Sequence, residues 1–208
     1  MTTAGTAPPV LVLATENPGK LRELRRLLAP RRLTLVSLRD AGFHGDLAET
    51  GDTYAENALA KAVTACTQLG RPVLADDSGI EVDAVHGWPG PLSARWMGPA
   101  ADDDDRLHGL IDEVDRRCPG RRQVRYVCVA ALCLPDAEPV TARGECVGTL
   151  ASPRGTAGFG YDPAFLSDDL GMTFGEAPDG AKDRVSHRAR ALRRLGEASL
   201  FETLLQGS

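Results

Sequence analysis

Two adjacent carboxylates, Asp76 and Asp77, follow the apolar run 73–75 and precede Ser78 and Gly79. A carboxylate at the end of a short buried strand can deprotonate a water or ligate a hard cation, and open α/β sheets bind ligands at that edge. Successive strand residues point to opposite faces, so one of the pair serves a given site and the other ties down loop backbone. A third carboxylate, Glu49, stands ahead of a Thr-Gly turn in ETGDTYAEN. Thr53 and Glu56 there have capping-box spacing, which accounts for Glu56 and leaves Glu49 unexplained.

Cations stand at two places where a helix should begin. In LVLATENPGKLREL an apolar strand breaks at Asn17, Pro18 and Gly19, and helical spacing resumes with Lys20. A Walker pattern fails, because Ala14 occupies the first glycine position and Leu21 follows Lys20. A helix start still presents free N–H groups to an anion, and a Lys there is disfavoured by ~0.3–1 kcal/mol unless a negative group offsets it. On these residues alone, a phosphate-holding turn and an ordinary strand-to-helix turn both remain open. In SHRARAL, Ser186 as N-cap puts His187 and Arg188 in the first turn, again the unfavoured end for cations. The two helix starts read as two grips on one electron-rich ligand, against the plainer reading of a solvated Arg and a satisfied His. GFGYDPAF adds close-approach glycines, the rings of Phe159 and Tyr161, and Asp162, which suit a base-stacking platform and equally a core.

The elements that must position these groups follow from periodicity. Residues 10–14 and 33–38 read as strands, and leucines 21, 24, 27 and 28 mark a helix beginning near Lys20. Asp52 or Thr53 caps a helix whose apolar positions are Ala55, Ala58, Leu59 and Ala62. A helix is expected from Asp103 to Arg117, and the acids from Asp102 to Asp105 fit its dipole more simply than they make a metal site. VRYVCVAALCL and VTARGECVGTL suit a long antiparallel hairpin. A loop holding Gly171, Gly175, Pro178 and Gly180 leads to a last helix with Ala191, Leu192, Leu195 and Ala198 on one face. This mixture predicts an α/β domain with a mixed sheet.

A chain of 208 residues with 42% hydrophobic and 25% charged content suits one soluble domain, residues 10–208, behind a flexible tail at 1–9 that lacks a secretory pattern. No apolar run approaches the ~18 residues of a membrane span. A net charge of -5 argues against a general grip on nucleic acid, so a polyanionic small ligand would need a bridging cation and local Lys and Arg. Five cysteines without a Cys-x-x-Cys pair read as reduced thiols in a cytoplasmic chain.

In order, LATENPGKLREL, ETGDTYAENALAKA, ADDSGIEVDAVHGWPGPLSARW, GFGYDPAF and SHRARAL resemble the inosine triphosphate pyrophosphatase family, also called the dITP/XTP pyrophosphatases. The resemblance runs from about Val10 to Leu195. It implies a homodimeric, Mg²⁺-dependent cytoplasmic enzyme that cleaves ITP, dITP and XTP to the monophosphate and pyrophosphate. It also implies a two-lobed α/β fold, with an elongated mixed β-sheet flanked by helices and an active-site cleft between the lobes. By motif position, Thr15, Asn17 and Lys20 contact the triphosphate within a binding stretch that includes Glu16, Pro18 and Gly19, and Ser78 helps hold it. Asp77 matches the catalytic base and a metal ligand, with Glu49 a second acid near the metal. Phe159, Gly160, Tyr161, Asp162, Lys182, His187 and Arg188 match the nucleoside-binding positions. Arg188 can only donate, which suits the C6 oxygen of hypoxanthine or xanthine and opposes the adenine amine. The departures are Met172, where the family commonly has Lys, and a Gly- and Pro-rich segment before Lys182. Rival readings are a related pyrophosphatase for pyrimidine or modified nucleotides and a nucleotide sensor that does not hydrolyse.

Overall fold

A computed structural model describes residues 7–206 of the 208. Of the expected tail, residues 1–6 lie outside that range, and 7–9 are coil running into the first strand. Strands β1 (Val10–Ala14), β2 (Thr34–Ser37), β3 (Val73–Val82), β4 (Gln123–Cys133), β5 (Val140–Leu150) and β6 (Phe165–Ser167) form one sheet in the order β2-β1-β3-β4-β5-β6. β1 runs parallel to β2 and β3, so the chain returns each time through a helix, α1 (Pro18–Leu28) and then α2 (Tyr54–Leu69). From β3 onward neighbouring strands are antiparallel. Helices α3 (Asp103–Arg117), α4 (Asp179–Val185), α5 (His187–Leu195) and α6 (Ser199–Gln206) complete the fold.

Three differences from the expected elements bear on the site. First, β3 does not end at the acids. It pairs with β4 from Val73 opposite Cys133 to Val82 opposite Val124, so Asp76 and Asp77 lie in mid-strand. What ends there is β1, whose last pairing with β3 joins Ala14 to Ala75. The edge of β3 beside the acids is thereby left open to the start of α1. Second, Ala55 faces solvent, and α2 instead turns Asn57 and Lys61 inward beside Ala58 and Ala62. Third, the segment before Ser186 contains the short helix α4, while α5 ends at Leu195 and leaves Ala198 in the turn to α6. The short amphipathic α6 buries Leu200, Phe201 and Leu204 at helical spacing.

The apolar core is divided. On one face of the sheet, Leu11, Leu13, Leu74 and Leu132 pack with Leu24 and Leu28 of α1, Leu192 and Leu195 of α5, and Phe201 of α6. On the other, Val12, Val73, Ala75 and Val129 meet Ala58, Ala62 and Ala65 of α2. A separate cluster holds Ile80, Val82, Val124 and Tyr126 with Leu107, Leu110 and Val114 of α3 and Phe165 and Phe174. Between them β3 carries Asp76, Asp77, Ser78 and Gly79, so the apolar continuity breaks at the polar residues. This is the physical content of the two lobes and their cleft. Among the described residues no helix is long and apolar enough to cross a membrane. All five cysteines are buried and unbridged.

Candidate active site

A cavity of about 510 Å³ opens where the cores part. Its first wall is the start of α1. Asn17 is the N-cap, and its Oδ1 accepts the N–H groups of Gly19 (2.8 Å) and Lys20 (3.0 Å), with Pro18 at the helix start. Gly19 is required by close approach, since a Cβ there would lie 2.5 Å from the Phe159 ring. Lys20 finds the compensation its position demands: its Nζ lies 3.4 Å from Oδ2 of fully buried Asp76. Burial alone would raise the Asp76 pKa, but Lys20 and Arg188 outweigh it and hold the carboxyl well below the ordinary range.

Asp77 points to the opposite face, as strand alternation requires. Its Oδ1 accepts from the Ser78 N–H (2.9 Å) and its Oδ2 from Asn57 Nδ2 (3.0 Å), leaving further lone pairs on both oxygens. Burial raises its pKa against the pull of Lys20 and Lys61, and the Glu49 charge pushes the same way as burial. Glu49 accepts from Lys61 Nζ (2.5 Å) and Arg95 (2.6 Å), while Lys61 also donates to the Asp76 carbonyl (2.7 Å). Burial opposes ionisation of Glu49, but Lys61 and Lys20 prevail and lower its pKa.

The far end of the cavity is an ion-pair cage. Lys182 of α4 lies 2.5 Å from both Glu23 of α1 and Asp162. Two carboxylates sharing one ammonium separate in pKa. Against burial, Arg188 and Lys182 hold Glu23 at about 2, whereas burial and the Glu23 charge raise Asp162 against the pull of Lys182. Lys182 also lies 5.2 Å over the Phe159 ring. His187 stacks on Tyr126 at 4.5 Å, and burial together with Arg188 keeps it neutral.

Arg188 lines the cavity and is held largely from within the protein. It donates twice to Asp76 (3.1 and 3.0 Å), once to Ser78 Oγ (2.9 Å) and once to Glu23. Four of its five N–H groups are therefore engaged within the protein. It ties the far end of the cavity to the strand carrying Asp77.

Thr15, Glu16, Asn17, Lys20, Glu49, Asp77, Ser78, Phe159, Gly160, Tyr161, Asp162, Lys182, His187 and Arg188 all line this one cavity. Pro18 and Gly19 are not among its lining residues and shape the helix start behind it. Sequence reasoning missed Asn57, Lys61, Arg95 and Glu23. Asn57 and Lys61 had a visible signal: they share the helical face of Ala58 and Ala62 at a spacing of four. Arg95 and Glu23 become legible only when distant elements are brought together.

The family model of the Ham1 family matches residues 11–198, which contain every wall of the cavity. The chain belongs to the Ham1 family. Among its relatives, the dITP/XTP pyrophosphatase of Symbiobacterium thermophilum is 48% identical over 186 residues, covering 88% of this chain and 91% of the relative. That of Bacillus licheniformis is 42% identical, covering 89% and 95%. The structure of a HAM1 protein from Coxiella burnetii superposes with a TM-score of 0.82 at 35% identity, over 93% of this chain and 99% of the other.

Proposed function

We propose that this Ham1 protein hydrolyses dITP, ITP and XTP to the monophosphate and pyrophosphate, removing deaminated purines from the nucleotide pool. The observation that carries the reading is one cavity in which a buried carboxylate with spare lone pairs, Asp77, stands beside Lys20, Lys61 and Arg95. A binding protein needs the cations and has no need of the base. The names of the curated relatives support the substrate class.

The donor set suits Mg²⁺. Among the described residues there is no cluster of three or more His, Cys, Asp or Glu side chains that could cage a metal. Mg²⁺ keeps several waters and binds through one or two carboxylates plus substrate phosphates, which is what Asp77 and Glu49 can offer. When bound, it would neutralise phosphate charge and polarise the phosphoryl group.

The chain's own residues supply the rest. The Gly19 and Lys20 N–H groups are already taken by the Asn17 cap, so the Lys20 ammonium, with Thr15 and Asn17 on the turn before it, holds the triphosphate, and Ser78 helps fix it. Asp77 takes the proton from a water aligned with the α-phosphorus, with Asn57 and the Ser78 N–H fixing the carboxylate for that transfer. Lys20 and Lys61 offset the charge gathering on the departing pyrophosphate. The base lies towards Phe159, Tyr161 and His187. The remaining Arg188 N–H favours an oxygen at C6, and an adenine amine would place donor against donor. A cytoplasmic homodimer belongs to the same proposal, supported by the resemblance and, for the compartment, by the unbridged thiols.

Product analysis with ITP, XTP, GTP and ATP, with and without Mg²⁺, tests this reading. Pyrophosphate and monophosphate from ITP and XTP are expected, only with the metal, and ATP should be spared. Orthophosphate as the product, preference for pyrimidine nucleotides, or tight binding without turnover would each replace it.

A further inference from the structure

Capping explains only part of the acidic run at the start of α3. Asp102 Oδ1 accepts the Asp105 N–H (2.9 Å) and Asp105 Oδ2 accepts the Asp102 N–H (3.1 Å), a reciprocal box. Asp104 stays at the surface near His108. Asp103 does something else. Its Oδ2 accepts the N–H of Gly160 at 3.1 Å, and its Oδ1 accepts from Arg106 at 2.7 Å. Arg106 is itself held by the Ala101 carbonyl (2.5 Å).

Gly160 lies between Phe159 and Tyr161, in the left-handed region at φ 59°. Each neighbour has its own anchor: the Phe159 N–H donates to Asp162 (2.8 Å), and the Tyr161 hydroxyl donates to the Ser93 carbonyl (2.7 Å). Among the described residues, the hydrogen-bond partner of the Gly160 N–H is Asp103. It reaches the 159–162 turn from α3, whose buried face belongs to the other core from α1 and α5. Both Asp103 and Arg106 line the cavity.

We propose that Asp103 is a positioning residue for nucleobase recognition, pinning Gly160 so that the Phe159 and Tyr161 rings hold a fixed separation at the base end of the cleft. The inference deepens the functional reading above and rests on it, because it takes the 159–162 turn as the wall against the base. It places no ligand on the helix start. Asp103 acts through the backbone of Gly160.

The test uses the whole protein with Asp103→Ala, Asp103→Asn and, as a control for helix-dipole effects, Asp104→Ala. Asp103 is 55% exposed at its side chain, so these changes leave the core intact. Amide hydrogen exchange at Gly160, read without nucleotide, should accelerate about fivefold or more in Asp103→Ala and stay unchanged in Asp104→Ala. In steady state with Mg²⁺, Asp103→Ala should raise KM for ITP about fivefold with kcat little changed, while inhibition by inorganic tripolyphosphate, which has no base, is unaltered. Asp103→Asn should recover most of the KM, since an amide oxygen still accepts the Gly160 N–H. Unchanged exchange at Gly160, equal KM effects in Asp104→Ala, or parallel weakening of ITP and tripolyphosphate would overturn the proposal. Absence of pyrophosphate release by the unaltered protein would overturn the functional reading and this inference together, and is distinguished by appearing before any substitution.

Discussion

At the scale of single residues, the two neighbouring acids separate by environment. Asp76 is fully buried and tied to Lys20 and Arg188, whereas Asp77 keeps open lone pairs towards the cavity. Asp77→Asn should preserve the fold and nucleotide binding while turnover falls about 10²- to 10⁴-fold, the usual range for losing a positioned base. Isothermal titration of the nucleotide beside a pyrophosphate-release assay checks both halves, and near-normal turnover would remove Asp77 from the role. Arg188 carries a structural expectation beside the one its sequence position suggests. Removing it takes one cationic partner from each of buried Asp76 and Glu23, which keep Lys20 and Lys182, so Arg188→Ala should destabilise the protein by about 3 kcal/mol and, without the N–H that favours an oxygen at C6, lower turnover of ITP and XTP most. Denaturant melts read the first effect and a nucleotide panel the second, and an equal loss for every nucleotide would remove Arg188 from base selection. The sequence could say that Arg188 only donates. It could not say that partners from α1 and β3 would already occupy it.

At the scale of elements, the site depends on how closely helices approach the sheet. α5 lies on β5 at Gly144, where a Cβ would come 2.2 Å from the His187 carbonyl and 2.3 Å from the Ala191 nitrogen. Gly144→Ala should push the start of α5 outward, costing about 1–3 kcal/mol and weakening the hold of Arg188 on Ser78. A lowered melting temperature with reduced turnover is expected; an unchanged enzyme would mean that α5 can shift without consequence. Much of this level was readable in advance. The start of α1, the capping box of α2, the extent of α3 and the hairpin of β4 and β5 all follow from local spacing. The continuation of β3 through its acids was not, because local patterning favours a turn at Asp-Asp-Ser-Gly and pairing with β4, about fifty residues on, overrides it. The polar inward residues of α2 escaped for the same reason: their burial is justified by Glu49 and Asp77, which no apolar periodicity reports.

At the scale of the molecule, the ion-pair cage joins α1, α4 and α5 and couples stability to acidity. Glu23 is held at about 2 in the fold against an ordinary value of 4.5, so its stabilising contribution is complete above about 4.5 and is lost as pH falls towards 2. Melting temperature should therefore drop across that window, and Glu23→Gln should melt lower at neutral pH with a shallower acid limb. A parallel acid limb in the variant would show that other groups dominate. The divided core has a further consequence. The backbone serves the first lobe through Ala75, the second from Ile80 to Tyr126, the first again from Val127 to Leu134, the second from Cys146 to Phe174, and the first once more from Ala191. The two halves are laced together like a braid, so no single cut yields either one as an autonomous fragment, and no exchange of one contiguous gene segment could graft a foreign half onto this one.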